Sequence, residues 1–414
     1  MTLQPCESTE RGDCVTVRLY LKKSRKKRLE HGHPWVYQSE VEGVEGTLTP
    51  GCTVEIVNHQ GVFLARGYAN PQSQIIARVL TYSPSEAVDE NLFFTRIRAA
   101  WEYRQQFLQD TGACRAIYGE ADFLPGLIVD KYNDILVVQI LSYGMEVRKD
   151  WILQALKDVL QPRGIYLRND VPVRRLEGLS LEADVWFGDV PDEVEILENG
   201  LRIVVNVREG QKTGYFFDQR DNRAAIAPLM RCGANQQGAR VLECFCHTGG
   251  FTVHALHYGA AHVTAVDISE PAIDVARRNA ALNGFNNVEF VVANAFDYLR
   301  EAERNGQRYD VVILDPPAFA KSRRALEGAI RGYKEINLRG MKLLRDGGFL
   351  VTASCSYHML PDLFQETLLD AALDAHKILR LVHWSGAGKD HPEIAGVPEG
   401  HYLKFAIFQV HSRG

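Results

Sequence analysis

No stretch of this chain approaches the ~20 consecutive apolar residues that span a bilayer. The longest apolar runs, 134–141 (DILVVQIL) and 311–314, are strand-sized, so a membrane-spanning helical protein is excluded and no membrane partner is expected. The N-terminal segment MTLQPCESTERGDC lacks a basic start followed by an apolar core and lacks Arg/Ser-rich transit character. Nothing marks it for export, and the expected location is the cytoplasm. Cysteine is sparse: eight residues (Cys6, Cys14, Cys52, Cys114, Cys232, Cys244, Cys246 and Cys355) are scattered over 414 positions without a Cys-x-x-Cys pair. That usage suits reduced thiols rather than a disulfide framework. With 34 Gly and 16 Pro, and neither an internal repeat nor a low-complexity segment, the chain is not collagen-like or disordered.

An excess of positive charge is also missing. Lys and Arg total 47 against 52 Asp and Glu, a net charge of −5, which excludes a uniformly basic nucleic-acid coat. One segment departs from that balance. Arg18, Lys22, Lys23, Arg25, Lys26, Lys27 and Arg28 place seven positive charges in eleven residues with no acid among them, either a solvated face or a phosphate-contacting segment. What remains is ordinary globular composition, 46% hydrophobic and 24% charged, long enough for two or three domains at about 150 residues each.

Three regions are expected. Residues 15–85 alternate short β-rich runs (VTVRLYL, TVEIV, VFLARGYA, QIIARVL) with turn signals at His33-Pro34, Pro50-Gly51 and Asn70-Pro71, the pattern of a small β-barrel-like domain. Residues 90–190 read as an α+β middle domain: a helix from Asn91, strands at 123–129 and 135–141, a helix at 146–160 and a strand at 164–168. Two alternating runs then flank Glu198-Asn199-Gly200, a strong hairpin signal. With that hairpin at its start, 194–414 is the third region. Its strand–helix alternation forces parallel pairing with right-handed crossovers and predicts a doubly wound, mainly parallel, Rossmann-like α/β domain.

Ligands of such a sheet sit outside the carboxyl ends of the strands, and every chemical motif here falls at one. The strand at 240–245 runs into Cys246-His247-Thr248-Gly249-Gly250-Phe251, where adjacent glycines allow either close passage of backbone by a ligand or simply a tight turn. The spacing is not that of a dinucleotide fingerprint. The next strand ends in Asp267, 24 residues after Glu243, where a carboxylate accepts from both hydroxyls of a ribose and favours an adenosine-type ligand. Ser269 is the expected N-cap of the following helix and Asn283-Gly284 its end. Asn294, at the third strand end, is either an adenine-reading amide or a turn residue.

The fourth strand, 309–314, stops at Asp315-Pro316-Pro317-Ala318-Phe319. Two prolines splay the chain and hold the preceding carboxylate at the sheet edge, an arrangement suited to the amino or ring nitrogens of a nucleobase. Phe319 is placed either to stack on a flipped base or to join the core. The fifth strand ends at Ser354-Cys355-Ser356, 40 residues after Asp315, and if the two strands are neighbours a thiol and a carboxylate face one crevice. The remaining cysteines read as small buried hydrophobes. Cys232, Cys244, Cys246 and His247 match no usual zinc spacing, so no metal is expected. The segment from Gly210 to Arg220 is either a polar linker or a lid over a cofactor.

Together these residues resemble the PUA-containing class I methyltransferases that use S-adenosylmethionine (SAM) to methylate carbon 5 of a cytosine in bacterial 23S ribosomal RNA. The resemblance covers nearly the whole chain. His33-Pro34-Trp35-Val36, Pro50-Gly51 and Asn70-Pro71 match the PUA RNA-binding module; 211–223 (QKTGYFFDQRDNR) matches the entry to the methyltransferase fold; and 244–251, Asp315-Pro316-Pro317 and Ser354-Cys355-Ser356 match its SAM, base and nucleophile motifs. Asp390-His391-Pro392 and 398–404 (PEGHYLK) also fit. Where relatives commonly carry Ser-Tyr before Thr-Gly-Gly, this chain has Cys246-His247.

The resemblance implies Cys355 as nucleophile and Asp315 as its catalytic partner. It implies SAM held by Gln219, Arg220, Cys244, Phe245, Thr248, Gly249, Asp267, Asn294 and Asp315. The RNA is expected on Pro316, Pro317 and Phe319, and on Lys22, Lys23, Arg25, Lys26 and Lys27. A homodimer is compatible with the family. The group that removes the carbon 5 proton is left open between Asp315, water and His358. Three rivals stand beside this reading: a SAM enzyme acting on a guanine or adenine nitrogen, which needs no thiol; a nicotinamide oxidoreductase, which leaves Asp-Pro-Pro unexplained; and a non-enzymatic PUA-type RNA-binding protein.

Overall fold

The computed structural model describes residues 17–210, 213–231, 237–320 and 322–413. Gln211 and Lys212 of the expected entry motif, and Cys6, Cys14 and Cys232, lie outside the described residues. Two compact units divide the chain, one within Met1–Val194, Val205–Tyr215 and Lys389–Gly400, the other within Glu195–Val204, Phe216–Gly388 and His401–Gly414.

In the first unit, a six-stranded sheet runs in the order Trp35–Tyr37, Ile75–Thr81, Phe63–Ala69, Thr53–Val57, Val17–Leu21 and Val41–Glu45. All pairs are antiparallel except Val17–Leu21 with Thr53–Val57. Period-two alternation places Leu19, Leu21, Val54 and Ile56 in its core. A five-stranded sheet follows, ordered Ala183–Gly188, Gly164–Arg168, Ile135–Ile140, Leu127–Tyr132, Ala113–Tyr118, with helices Glu90–Phe107 and Lys149–Leu160 contributing to its core.

Two of these strands, Ala113–Tyr118 and Ala183–Gly188, go beyond the sequence reading. Ala183–Gly188 lies on an edge with most of its side chains exposed, so no apolar alternation betrayed it. The strand expected at 123–129 starts only at Leu127, because Phe123 and Gly126 take left-handed backbone (φ 59° and 86°) after a 3-10 turn.

The second unit is built on seven strands: β1 (Arg240–Cys244), β2 (His262–Asp267), β3 (Val288–Val292), β4 (Tyr309–Leu314), β5 (Leu344–Ser354), β6 (Lys377–Ser385) and β7 (Lys404–Ser412). Their order is β3-β2-β1-β4-β5-β7-β6. The first five pair in parallel, and β7 runs antiparallel to both neighbours. Helices α1 (Gly250–His257), α2 (Glu270–Leu282), α3 (Ala295–Arg304), α4 (Leu326–Leu343) and α5 (Pro361–Asp374) make the crossovers. Core clusters flank the sheet on both faces, as a doubly wound sheet requires.

The order reverses between β1 and β4, which opens a crevice at their carboxyl ends. Ser269 caps α2 by accepting from the Ala272 amide, and Asn283 with Gly284 (φ 76°) ends it. Helix α4 begins seven residues before the expected Tyr333, its first turns disguised by Gly328 and Gly332. Gly332 packs closely there: a Cβ would lie 3.2 Å from the Phe319 ring. The hairpin Glu193–Glu198 with Leu201–Asn206 turns through Asn199 and Gly200, both at positive φ (51° and 83°), as Asn-Gly predicts.

Candidate active site

The loop after β1 is fixed by its own backbone. Amides of Phe245 and Cys246 both donate to the Val266 carbonyl (2.8 and 3.1 Å), while Phe245, His247 and Gly249 take positive φ (67°, 48° and 82°). Only the glycine adopts this without strain. It also packs closely, since a Cβ at Gly249 would sit 3.0 Å from Ala276 Cβ on α2. Thr248 is held by Asn279, whose Nδ2 donates to its carbonyl at 3.0 Å.

Across this loop, half-buried Asp267 accepts from the His247 amide through Oδ2 and from the Ser269 amide through Oδ1, each at 2.9 Å. The carboxylate is thereby oriented while keeping lone pairs for a ligand's hydroxyls. Cys244 faces the core at 0% exposure, so only its backbone is available to a ligand, and burial pushes its thiol pKa up. Asn294 is exposed and caps α3, its Oδ1 accepting from the Phe296 amide at 2.9 Å.

Residues 216–225 are folded structure. Phe217–Gln219 forms a 3-10 turn leading into the helix Arg220–Ala225, and Asp218, Gln219 and Arg220 are buried. Tyr402 donates to Asp218 Oδ2 at 2.6 Å, and Phe216 meets His247 edge-to-face at 5.3 Å, so the segment packs on the loop after β1. Gln219 donates through Nε2 to Asp315 Oδ1 at 2.9 Å.

Strands β4 and β5 are neighbours, with Leu314 opposite Thr352, so the Asp315 and Cys355 ends open together. Cys355 is half-buried, and its Sγ lies 3.8 Å from the Pro316 carbonyl oxygen. Pro316 is buried and Pro317 exposed. Phe319 joins an aromatic cluster, its centroid 4.7 Å from Tyr333, 5.9 Å from Phe296 and 6.4 Å from Phe245, partly buried against the core. Ser356 ties the two loops together: its Oγ accepts from the Ala320 amide at 3.2 Å and lies 2.9 Å from the Tyr333 hydroxyl.

Two groups carry chemistry that sequence reasoning did not assign. Glu243, 2% exposed at the end of β1, is pushed up to about 8 by burial, with Asp315 and Asp267 adding to the effect and a hydroxyl donor, Thr252, opposing it. Lys404, 2% exposed, donates from Nζ to the carbonyls of Ser356 and Tyr402, both at 2.8 Å. Burial lowers its pKa to about 8, and the neighbouring Cys355 thiolate pulls it the other way. The visible signal was a lysine heading the apolar run KFAIF.

Among Lys22, Lys23, Arg25, Lys26 and Lys27 of the first unit, folding neutralises part of the charge. Arg25 grips Glu30 through both nitrogens (2.9 and 2.7 Å), whereas Lys22, Lys23, Lys26 and Lys27 are exposed, Lys22 donating to the Ser39 carbonyl. Arg18 pairs with Glu55, and Arg28 with Glu40. Among the described residues no group of three or more His, Cys, Asp and Glu is placed to hold a metal ion, and no helix is long and apolar enough to cross a membrane.

A Rossmann-like sheet of this strand order, with an oriented Asp267 beside a glycine loop at its switch point, defines a class I methyltransferase, and the donor set suits an adenosyl ligand. Residues 177–405 match the S-adenosylmethionine-dependent methyltransferase family and residues 19–82 a PUA-like domain. The chain belongs to this methyltransferase family, whose methyl donor is SAM.

Its relatives include proteins named ribosomal RNA large subunit methyltransferase I. That of Aeromonas hydrophila is 44% identical over 396 residues, 94% of this chain and 98% of the relative. That of Photobacterium profundum is 43% identical over 401 residues, 95% and 100% of the two chains. The Escherichia coli protein is 42% identical over 395 residues, 94% and 98%. A solved Streptococcus mutans structure described as a SAM-dependent methyltransferase shares the fold, with a TM-score of 0.79 and 21% identity over 95% of this chain and 99% of its own. A second methyltransferase structure, complexed with SAH, superposes with a TM-score of 0.80 at 20% identity over 95% and 99% of the two chains.

Proposed function

We propose that this chain forms 5-methylcytosine in 23S ribosomal RNA through a covalent adduct between Cys355 and carbon 6 of the base. The observation that carries the reading is the half-buried Cys355 sulfur 3.8 Å from the carbonyl of Pro316, directly after Asp315, at the ends of adjacent strands. The ribosomal RNA substrate follows from the names of relatives that match nearly end to end, and the PUA-like domain suits it.

In this reading Gln219, Arg220, the backbone of Cys244 and Phe245, Thr248, Gly249, Asp267, Asn294 and Asp315 would hold the cofactor. Bound SAM supplies an electrophilic methyl group on sulfur. Carbon 5 of cytosine is too weak a nucleophile by itself. The Cys355 thiolate adds to carbon 6, and the electron pair released into the ring makes carbon 5 enamine-like and reactive. Asp315 hydrogen bonds the exocyclic amine or ring nitrogen 3 and stabilises the charge that develops. Gln219 and the Pro316-Pro317 corner keep that carboxylate in place. Once carbon 5 carries its methyl group, transfer of the carbon 5 proton to a base, for which Asp315, water and His358 are the candidates, restores the double bond and expels the Cys355 thiolate as the carbon 6–sulfur bond breaks. Lys22, Lys23, Lys26 and Lys27 are the exposed members of the segment proposed to contact phosphates.

The test is trapping. RNA containing 5-fluorocytosine cannot lose a proton from carbon 5, so with SAM it stays attached to the protein. A covalent adduct is expected with the intact chain and none with Cys355→Ala. Full methyl transfer by Cys355→Ala would favour methylation of a guanine or adenine nitrogen instead.

A further inference from the structure

A pocket of about 200 Å³ in the first compact unit is lined by Trp35, Tyr118, Glu120, Ile394, Val397 and Glu399, among others. Two of these are carboxylates set in place by ring nitrogens. The indole Nε1 of Trp35 donates to Glu120 Oε1 at 2.9 Å. His33, fully buried, accepts from the Trp35 amide at Nδ1 (3.1 Å); a neutral ring therefore carries its proton on Nε2 and donates to Glu399 Oε2 at 3.1 Å. That bond holds the Glu399 carboxyl below the ordinary glutamate range. The Glu120 side chain makes no further hydrogen bond among the described residues, which leaves Oε2 for an incoming donor.

Among the described lining residues there is no Lys, Arg or His. A ligand matching this pocket brings a flat face for half-buried Trp35 and several N–H donors for fixed carboxylate oxygens. Of the four RNA bases, guanine alone presents two adjacent donors, N1–H and the N2 amine, on one edge. The wall is also continuous with the basic segment: the His33 amide donates to the Arg28 carbonyl at 3.0 Å, and Lys23, Lys26 and Lys27 are exposed just upstream. Those cations suit the phosphates flanking a base.

We infer that this pocket receives one unpaired guanine of an RNA strand, a recognition site additional to the methyl-transfer centre and independent of whether Cys355 attacks a cytosine. An arginine side chain from a protein also carries several donors, but its charge would meet the exposed lysines of that segment, so RNA is favoured.

The experiment measures binding of the full chain to three labelled nonanucleotides, U4GU4, U4IU4 and U4AU4, by fluorescence anisotropy at fixed low salt. Guanine is expected to bind about 10-fold tighter than adenine, and inosine, which keeps N1–H but lacks the N2 amine, in between. This comparison uses the unmodified protein, so it stands even where a variant fails to fold. Glu120→Gln and Glu399→Gln are each expected to lower the guanine preference without weakening U4AU4. Equal binding of the three RNAs overturns the inference. So does a preference that survives both variants, or an arginine nonapeptide that displaces U4GU4 and loses affinity in Glu120→Gln.

Discussion

Gln219 holds Asp315 with one end of its amide and Asn222 with the other: Nε2 donates to Asp315 Oδ1 at 2.9 Å, and Oε1 accepts from Asn222 Nδ2 at 2.7 Å. Asn222 is itself oriented, since its Oδ1 accepts from Ser385 Oγ at 2.7 Å and its Nδ2 also donates to the Gly386 carbonyl at 3.0 Å. A relay of side chains from the end of β6 therefore sets which oxygen of Asp315 is occupied and where its carboxylate plane lies. The family resemblance implies Gln219 as a cofactor residue; under the proposed mechanism its bond to Asp315 adds a second task at the base.

Gln219→Leu removes the donor and leaves the rest of the relay. The expected result is a drop in the single-turnover methyl-transfer rate of about 10-fold, the worth of one charge-assisted hydrogen bond. SAM affinity measured by calorimetry shows how much of the loss belongs to cofactor binding. An unchanged rate would mean that Asp315 keeps its place without the Gln219 bond.

Glu243 makes stability depend on pH. Its folded-state pKa, about 8, lies above the ordinary glutamate value, because burial disfavours the charged form. Between the two values the folded chain holds more protons than the unfolded one, so this group's contribution is complete in acid and is lost as pH rises through 8. Glu243→Gln, which mimics the protonated acid and still accepts from the Thr252 hydroxyl, is expected to flatten that decline. Thermal melts from pH 5 to 9 check it, the variant gaining on the parent as pH rises toward 8 and the difference levelling off above that. Parallel curves would show Glu243 ionised in the fold.

Much of this site was legible because strand ends announce themselves. Asp267, Asp315 and Cys355 each follow an apolar run, the first two precede a cap or a breaker, and parallel pairing brings such ends to one edge. Asn199-Gly200 and Ser269 were equally readable, since a left-handed turn and an N-cap are local demands on residue type. What escaped depends on partners distant in sequence. Nothing near Lys404 says that its ammonium reaches the Ser356 carbonyl, and nothing near Phe319 distinguishes a base platform from the Tyr333 cluster into which it packs. The edge strand Ala183–Gly188 escaped because exposure on both faces leaves no alternation to read.

Gly249 is constrained twice, by φ of 82° and by Ala276 Cβ at 3.0 Å from any added Cβ. Gly249→Ala is expected to cost about 1–3 kcal/mol in urea unfolding, the usual range for a non-glycine residue forced into left-handed backbone. It should also weaken SAM binding in calorimetry, because the loop bearing the His247 amide shifts against Asp267. Unchanged stability would mean that α2 yields freely to the methyl group.

Lys404 offers a handle on the thiol itself. Its ammonium is buried one residue from Cys355, on the strand directly paired with β5, Lys404 standing opposite Ser354. At neutral pH it is protonated, since its pKa of about 8 lies above the medium, and a buried cation beside a thiol favours the thiolate. Lys404→Met is expected to raise the Cys355 pKa and slow its alkylation by iodoacetamide at pH 7 by about 10-fold, the equivalent of one pKa unit. Cys355→Ser identifies the reacting site by difference, because Cys114, Cys244 and Cys246 are buried but Cys52 is half-buried like Cys355 and supplies a background rate to subtract. Stability supplies an independent check of sign. The unfolded chain keeps this proton up to the ordinary lysine range while the folded chain releases it near 8, so this group makes the parent gain stability as pH rises through that window. The Met variant loses that gain. If alkylation keeps its rate and pH midpoint while the stability profile changes as expected, Lys404 is a structural tie between Ser356 and Tyr402 and leaves the Cys355 thiol untouched.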